Sequence, residues 1–141
     1  MRAETSFAAR LESLADARAF VRRAGAAARA GSEAIAALQL AVDEAFNNII
    51  EHGYAGRGDG TIELSCESDG ESLRVTIVDH GRAFEPEKIA PADTTSGWSE
   101  RPIGGLGWHL IVRSVDDVDY RPDPARGNRL TLVKRLTARR G

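Results

Sequence analysis

The spacing of apolar and polar residues shifts along the chain between a period of two and a period near 3.6. Residues Arg2 to Ala8 alternate weakly, as a short edge strand does. At Ser13-Leu14-Ala15-Asp16 a helix is predicted to begin. There the serine hydroxyl is placed to cap a free backbone N–H, and Asp16 to reach back as in a capping box. An Ala- and Arg-rich helix then runs to about Arg29, with Gly31 just past its end. Ser32 is predicted to cap a second helix that runs to about His52 and is stopped by Gly53.

Alternation returns at Thr61-Ile62-Glu63-Leu64-Ser65-Cys66-Glu67, followed by the turn pair Asp69-Gly70 and a second alternating run from Leu73 to Val78. These read as a hairpin. Residues 80–104 have little periodicity and are rich in Gly, Pro, Ser and Thr, the profile of a functional or disordered segment. A third helix is predicted from about Leu106 to Ser114. Strands from Asp117 to Tyr120 and from Leu130 to Leu136 close the chain, joined by a turn holding Pro122, Pro124, Gly127 and Asn128. Grouped helices between hairpins favour an α+β two-layer sandwich over a doubly wound parallel fold. Connections too short for a helical crossover make much of the sheet antiparallel.

At 141 residues the chain is read as one domain, 1–141, and an apolar share of 42% is enough to fill one core. The net charge of -2 gives no reason to expect a nucleic acid or a membrane surface as partner. A single cysteine, Cys66, excludes an intramolecular disulfide and a cysteine-rich zinc site, and it reads as a small strand residue. The N-terminus lacks the apolar stretch of a signal peptide, and no run approaches the ~18 apolar residues needed to span a bilayer. The expected location is the reducing cytoplasm.

The chemistry concentrates on the second helix. Ile35, Leu38, Val42, Ala45, Phe46 and Ile49 share one face at helical spacing and are predicted to meet the core. Opposite them lie Glu44, Asn47, Asn48 and Glu51. Glu44 and Asn48, four residues apart, meet on one surface. A carboxylate beside an amide oxygen suits a hard cation such as Mg²⁺. A plain solvated helix face is the competing reading, weakened by two adjacent asparagines, which are middling helix formers. His52, near the helix end, is explained by the helix dipole alone.

Three further motifs follow. Val78-Asp79-His80-Gly81 ends an apolar strand with an acid that needs a hydrogen-bond donor, such as the amine of adenine. Gly81 would let a flat ring approach the backbone. An ordinary turn explains the same residues. Ile103-Gly104-Gly105-Leu106-Gly107 opens the third helix and frees backbone N–H groups to surround an anion. No Lys-Ser/Thr pair follows these glycines, so they do not form a P-loop. Arg101 just before them is placed to pair with a terminal phosphate or to remain solvated. Thr131 alternates with Leu130 and Leu132 and is placed either to reach a base or a bridging water, or simply to serve as a strand residue.

The order of these motifs is more specific than any one of them. Glu44-x-x-x-Asn48, Asp79-x-Gly81, Gly104-Gly105-x-Gly107 and Thr131 together resemble the GHKL ATPase superfamily. Within it, Val42 to Tyr54, Asp79 to Pro86 and Gly127 to Lys134 are similar to the anti-sigma factor serine kinases. The resemblance covers about residues 10 to 137. Ala83 departs from the wider superfamily, which often has a second glycine there.

The resemblance implies a Bergerat-type fold: a mixed, mostly antiparallel sheet with helices on one face, and ATP held between the helices and a lid at about residues 85–104. It implies ATP and Mg²⁺ as cofactors, Glu44 as the general base and Asn48 as the Mg²⁺ ligand. Asn47, Asp79, Gly81, Arg101, Gly104, Gly105, Leu106, Gly107 and Thr131 would be nucleotide contacts, with Asp79 receiving adenine. The implied partners are an anti-anti-sigma protein with a STAS domain, phosphorylated on serine, and a sigma factor, with a possible homodimer. A non-catalytic ATP-binding switch is the alternative. The catalytic domain of a histidine kinase is a third reading, but it would need an acceptor histidine from another chain, since His52, His80 and His109 lie outside any N-terminal helical pair.

Overall fold

A computed structural model of the chain describes residues 1–85 and 105–136. Five strands form one sheet: β1 (Arg2–Ala8), β2 (Thr61–Ser68), β3 (Ser72–Asp79), β4 (Asp117–Arg121) and β5 (Asn128–Arg135), in the order β1-β2-β3-β5-β4. Three helices accompany it: α1 (Leu14–Ala27), α2 (Ser32–Asn48) and α3 (Gly105–Ser114). The two-layer α+β architecture is the one the spacing predicts. The sheet is not mixed among the described residues, because all four pairings are antiparallel.

Strand alternation decides what the sheet covers. Ile62, Leu64 and Cys66 of β2, Leu73, Val75 and Ile77 of β3, and Leu130 and Leu132 of β5 are buried. They pack in one core with Ala17, Phe20 and Val21 of α1, with Leu38, Val42, Ala45 and Phe46 of α2, and with Ile111 and Val115 of α3. Each large aliphatic side chain removed from water there stabilises the fold by about 1.5–3 kcal/mol. The alternate residues, such as Ser65, Thr76 and Thr131, belong to the opposite face of the sheet. Cys66 is fully buried in this core, and burial pushes its thiol pKa up to about 12.

The helix ends differ from the sequence expectations in informative ways. Ser13 does not cap α1; its hydroxyl donates to the Ala8 carbonyl at 2.7 Å instead, tying the helix start to the end of β1. Ser32 is the first residue of α2, and Gly31 occupies the capping position. The α1 helix ends at Ala27, two residues early, and Arg29 follows with φ 61. Nη1 of Arg18 on α1 donates to both carboxylate oxygens of Asp43 on α2, at 2.9 and 3.0 Å, and joins the two helices. After Asn48 the α-helix does not continue to His52. It widens into a π-helical turn, Ile49–Gly53, in which the Tyr54 N–H donates to the Ile49 carbonyl at 2.8 Å. Ile49 is half-buried and packs against the core, and Ile50 is buried within it. No helix among the described residues is long and apolar enough to cross a membrane.

Candidate functional site

A cavity of about 570 Å³ opens between the C-terminal part of α2, the π turn, the residues after β3, and α3. That volume lies in the range of small-molecule pockets. Its lining includes Asn48, Asp79, Phe84, Trp108, Tyr120 and Leu130. Two clusters of polar groups adjoin it.

The first is built on Asp79, the last residue of β3, which is 4% exposed. Its Oδ1 accepts the Gly81 N–H at 2.9 Å and the Asn128 side-chain amide at 3.1 Å. The same amide nitrogen donates to the Gly81 carbonyl at 3.0 Å. The sheet register makes this possible, since Asp79 and Asn128 are cross-strand partners on β3 and β5. Among the described residues no group donates to Oδ2. Burial raises the Asp79 pKa, while Asn128, Gly81 and His80 pull it back. A buried carboxylate oxygen without a partner is costly. With no donor for it among the described residues, Oδ2 offers a position that a ligand's donor would satisfy.

Gly81 is needed here for a reason other than the one expected. A Cβ at Gly81 would lie 2.6 Å from the Gly53 carbonyl carbon and oxygen, so on that side the backbone of the π turn requires a glycine. The Arg82 N–H donates to that same carbonyl at 2.7 Å.

The second cluster joins α2 to α3. A Cβ at Gly107 would sit 2.8 Å from Glu44 Oε2 and 3.9 Å from Asn48 Oδ1. The first turn of α3 therefore rests directly on the carboxylate and amide that the i, i+4 spacing paired. Both side chains are half-buried, and neither has a hydrogen bond or ion pair among the described residues. Burial, and secondarily the neighbouring Asp43 charge, raises the Glu44 pKa from 4.5. A raised carboxylate pKa is a property of groups that accept protons in catalysis. The Asn48 oxygen, beside an acid and a helix N-terminus, fits a Mg²⁺ site completed by phosphate and water. Among the described residues no cluster of three or more His, Cys, Asp or Glu forms a separate metal site.

The structure thus brings Glu44, Asn48 and Gly107 together, and places Asn48 and Asp79 on one cavity. Gly105 and Leu106 open α3. Asn47 is half-buried and does not line the cavity. Thr131 is not brought to it either. It pairs with Thr76 and Asp119 on the helix-free face, because the cavity takes the alternate residue, Leu130. Arg101, Gly104 and the lid segment from 86 to 104 lie outside the described residues.

Sequence reasoning missed Asn128, which it placed in a turn, and the aromatic wall of Phe84, Trp108 and Tyr120. Those rings pack with centroids 5.3 to 6.5 Å apart. An asparagine opening a strand opposite an acid that ends one is a usable signal, but only once the register is known.

A helix-covered antiparallel sheet with an acid at a strand end and an acid–amide pair on the long helix defines a class. The sequence profile of the histidine kinase-like ATPase domain matches residues 7–134, and the chain belongs to that family. Within it, the chain is 38% identical over 100 residues to the serine-protein kinase RsbW of Listeria monocytogenes serovar 1/2a, covering 67% of this chain and 64% of that protein. It is 31% identical over 102 residues to the anti-sigma F factor of Anoxybacillus flavithermus, covering 71% of this chain and 68% of the relative. The chain thus spans about 64% of the length of the serine-protein kinase relatives. The crystal structure of the RsbU and RsbW domains of Rv1364c from Mycobacterium tuberculosis has the same fold. Its TM-score is 0.70 at 21% identity, over 96% of this chain and 32% of that one.

Proposed function

We propose that this chain is a cytoplasmic, ATP-dependent protein serine kinase that acts as an anti-sigma factor. Its substrate would be a serine on a STAS-domain antagonist, its second partner a sigma factor, and its working form a homodimer. The relatives named serine-protein kinase and anti-sigma F factor support the reading. The observation that carries it is the close approach of the α3 start at Gly107 to Glu44 and Asn48, beside a cavity that Asn48 and Asp79 both line.

In this reading Asp79 Oδ2 accepts the amine of adenine, and Asn128 holds the acid in place. The N-terminal turn of α3 faces the phosphates with its unpaired N–H groups. Asn48 would hold Mg²⁺ through its amide oxygen; when bound, the ion draws negative charge from the phosphate oxygens. Glu44 accepts the proton of the substrate serine hydroxyl. The serine oxygen bonds to the γ-phosphorus as the bond from that phosphorus to the β–γ bridging oxygen breaks, and ADP leaves with that electron pair.

Purified chain, labelled ATP and a STAS-domain antagonist test the reading. The expected result is label on an antagonist serine. Nucleotide-dependent binding of the antagonist without transfer would establish a non-catalytic switch instead.

A further inference from the structure

The backbone that leaves Asp79 is suspended from one backbone carbonyl and from two side chains that the chemistry so far has not used. The His80 N–H donates to the Tyr54 hydroxyl at 2.8 Å. The Arg82 N–H donates to the Gly53 carbonyl at 2.7 Å. The Phe84 N–H donates to the Tyr120 hydroxyl at 2.8 Å. Every second N–H of this irregular segment therefore has an anchor, and the intervening Gly81 N–H returns to Asp79 itself.

The two phenols come from different sides. Tyr54 follows the π turn, is 5% exposed, and passes its own proton to the Thr61 carbonyl at 2.8 Å. Its ring fills the place where a Cβ at Gly60 would stand. Tyr120 comes from β4 and packs against Phe84 and Trp108. Neither phenol is needed to complete a helix or a strand ladder. A loop with ordinary turn bonding would need neither of them.

We propose that Tyr54 and Tyr120 are positioning residues that fix the 79–84 backbone, and thereby the direction of the Asp79 carboxylate oxygen that has no donor among the described residues, for recognition of a nucleobase amine. The inference rests on the reading of the cavity as an ATP site. Aim matters because a hydrogen bond weakens steeply once its donor angle falls toward ~120°. Replacing either tyrosine with phenylalanine removes one oxygen, keeps the ring, and lets the loop relax.

The test is calorimetric binding of ATP and of purine riboside triphosphate, which lacks the 6-amino group, to the full chain. The wild type is expected to prefer ATP by roughly tenfold or more, the worth of one hydrogen bond to a charged group. Tyr54→Phe and Tyr120→Phe are expected to lose most of that preference, approaching Asp79→Asn, while affinity for the amine-free nucleotide stays within about twofold. Val21→Ala, a core variant in α1, serves as a destabilised control that should keep the full preference. A purely structural role would lower the melting temperature and leave the preference intact. That outcome in Tyr54→Phe overturns the proposal; should that variant not fold, Tyr120→Phe decides by the same measure. Failure of the wild type to bind ATP overturns the reading of the cavity and the proposal with it. ATP binding with unchanged preference in the variants overturns the proposal alone.

Discussion

The two polar clusters of the cavity are built in opposite ways. Around Asp79, Asn128, Gly81, Gly53 and two phenols leave one carboxylate oxygen without a donor among the described residues. At Glu44 and Asn48, both side chains are half-buried and have no hydrogen bond or ion pair among the described residues. Folding fixes the first cluster in all but one acceptor, whereas the second has no polar partner among the described residues. The difference fits a division of labour. Recognition of a rigid ring gains from groups fixed in advance. A proton acceptor must instead remain free to change its charge and its partners.

The division breaks most readily at Glu44. Glu44→Gln should slow phosphoryl transfer by about 10² to 10⁴-fold while ATP affinity stays within about threefold. Filter assays beside calorimetry check this, and an equal loss of affinity would merge the two clusters into one. Asp79→Asn should do the reverse, weakening ATP binding by about 10- to 100-fold.

The same variant sharpens the contrast through stability. The folded-state pKa of Asp79 is raised above 3.8, chiefly by burial. Burial thus makes the charged form costlier in the fold than in the unfolded chain. Stability present below the unfolded value is lost as pH rises through the raised folded value. Asp79→Asn should therefore melt higher than the wild type at pH 7, with the advantage shrinking in acid; scanning calorimetry across pH measures it.

Gly107→Ala should reduce kcat by roughly tenfold with little change in the KM for ATP, because a methyl 2.8 Å from Glu44 Oε2 forces the carboxylate aside. A change in KM alone would show that α3 serves binding only. The smallest effect concerns pH. Since the Glu44 pKa is raised from 4.5, the acid limb of kcat should lie above that of an ordinary glutamate, and activity should fall as pH drops through the raised value. Removal of that limb in the residual activity of Glu44→Gln would assign it.

Much of this was legible in the chain itself. Periodicity placed the five strands and three α-helices of the described fold, though not the π turn after α2, and i, i+4 spacing paired Glu44 with Asn48. Other features depend on information that no local pattern carries. Alternation separates Thr131 from Leu130, but which of the two faces the cavity depends on where the helices pack. Asn128 reads as a turn residue until β5 is laid antiparallel to β3 and it falls opposite Asp79. Gly81 looks like room for a ligand until the π turn is seen to require a glycine there. Ser13 looks like a cap until β1 offers it a carbonyl.

The widened turn at Ile49–Gly53 gives α2 an odd rung in its ladder. An α-helix advances roughly 100° per residue, so excising one residue there would restore a regular spiral and swing Tyr54 about a quarter of a revolution off its bearing. Its phenol would then no longer meet His80, and Gly53 would no longer lie under Gly81. A single codon's deletion would unfasten the Asp79 end of the cavity and draw Ile50 and Tyr54 out of their places in the core.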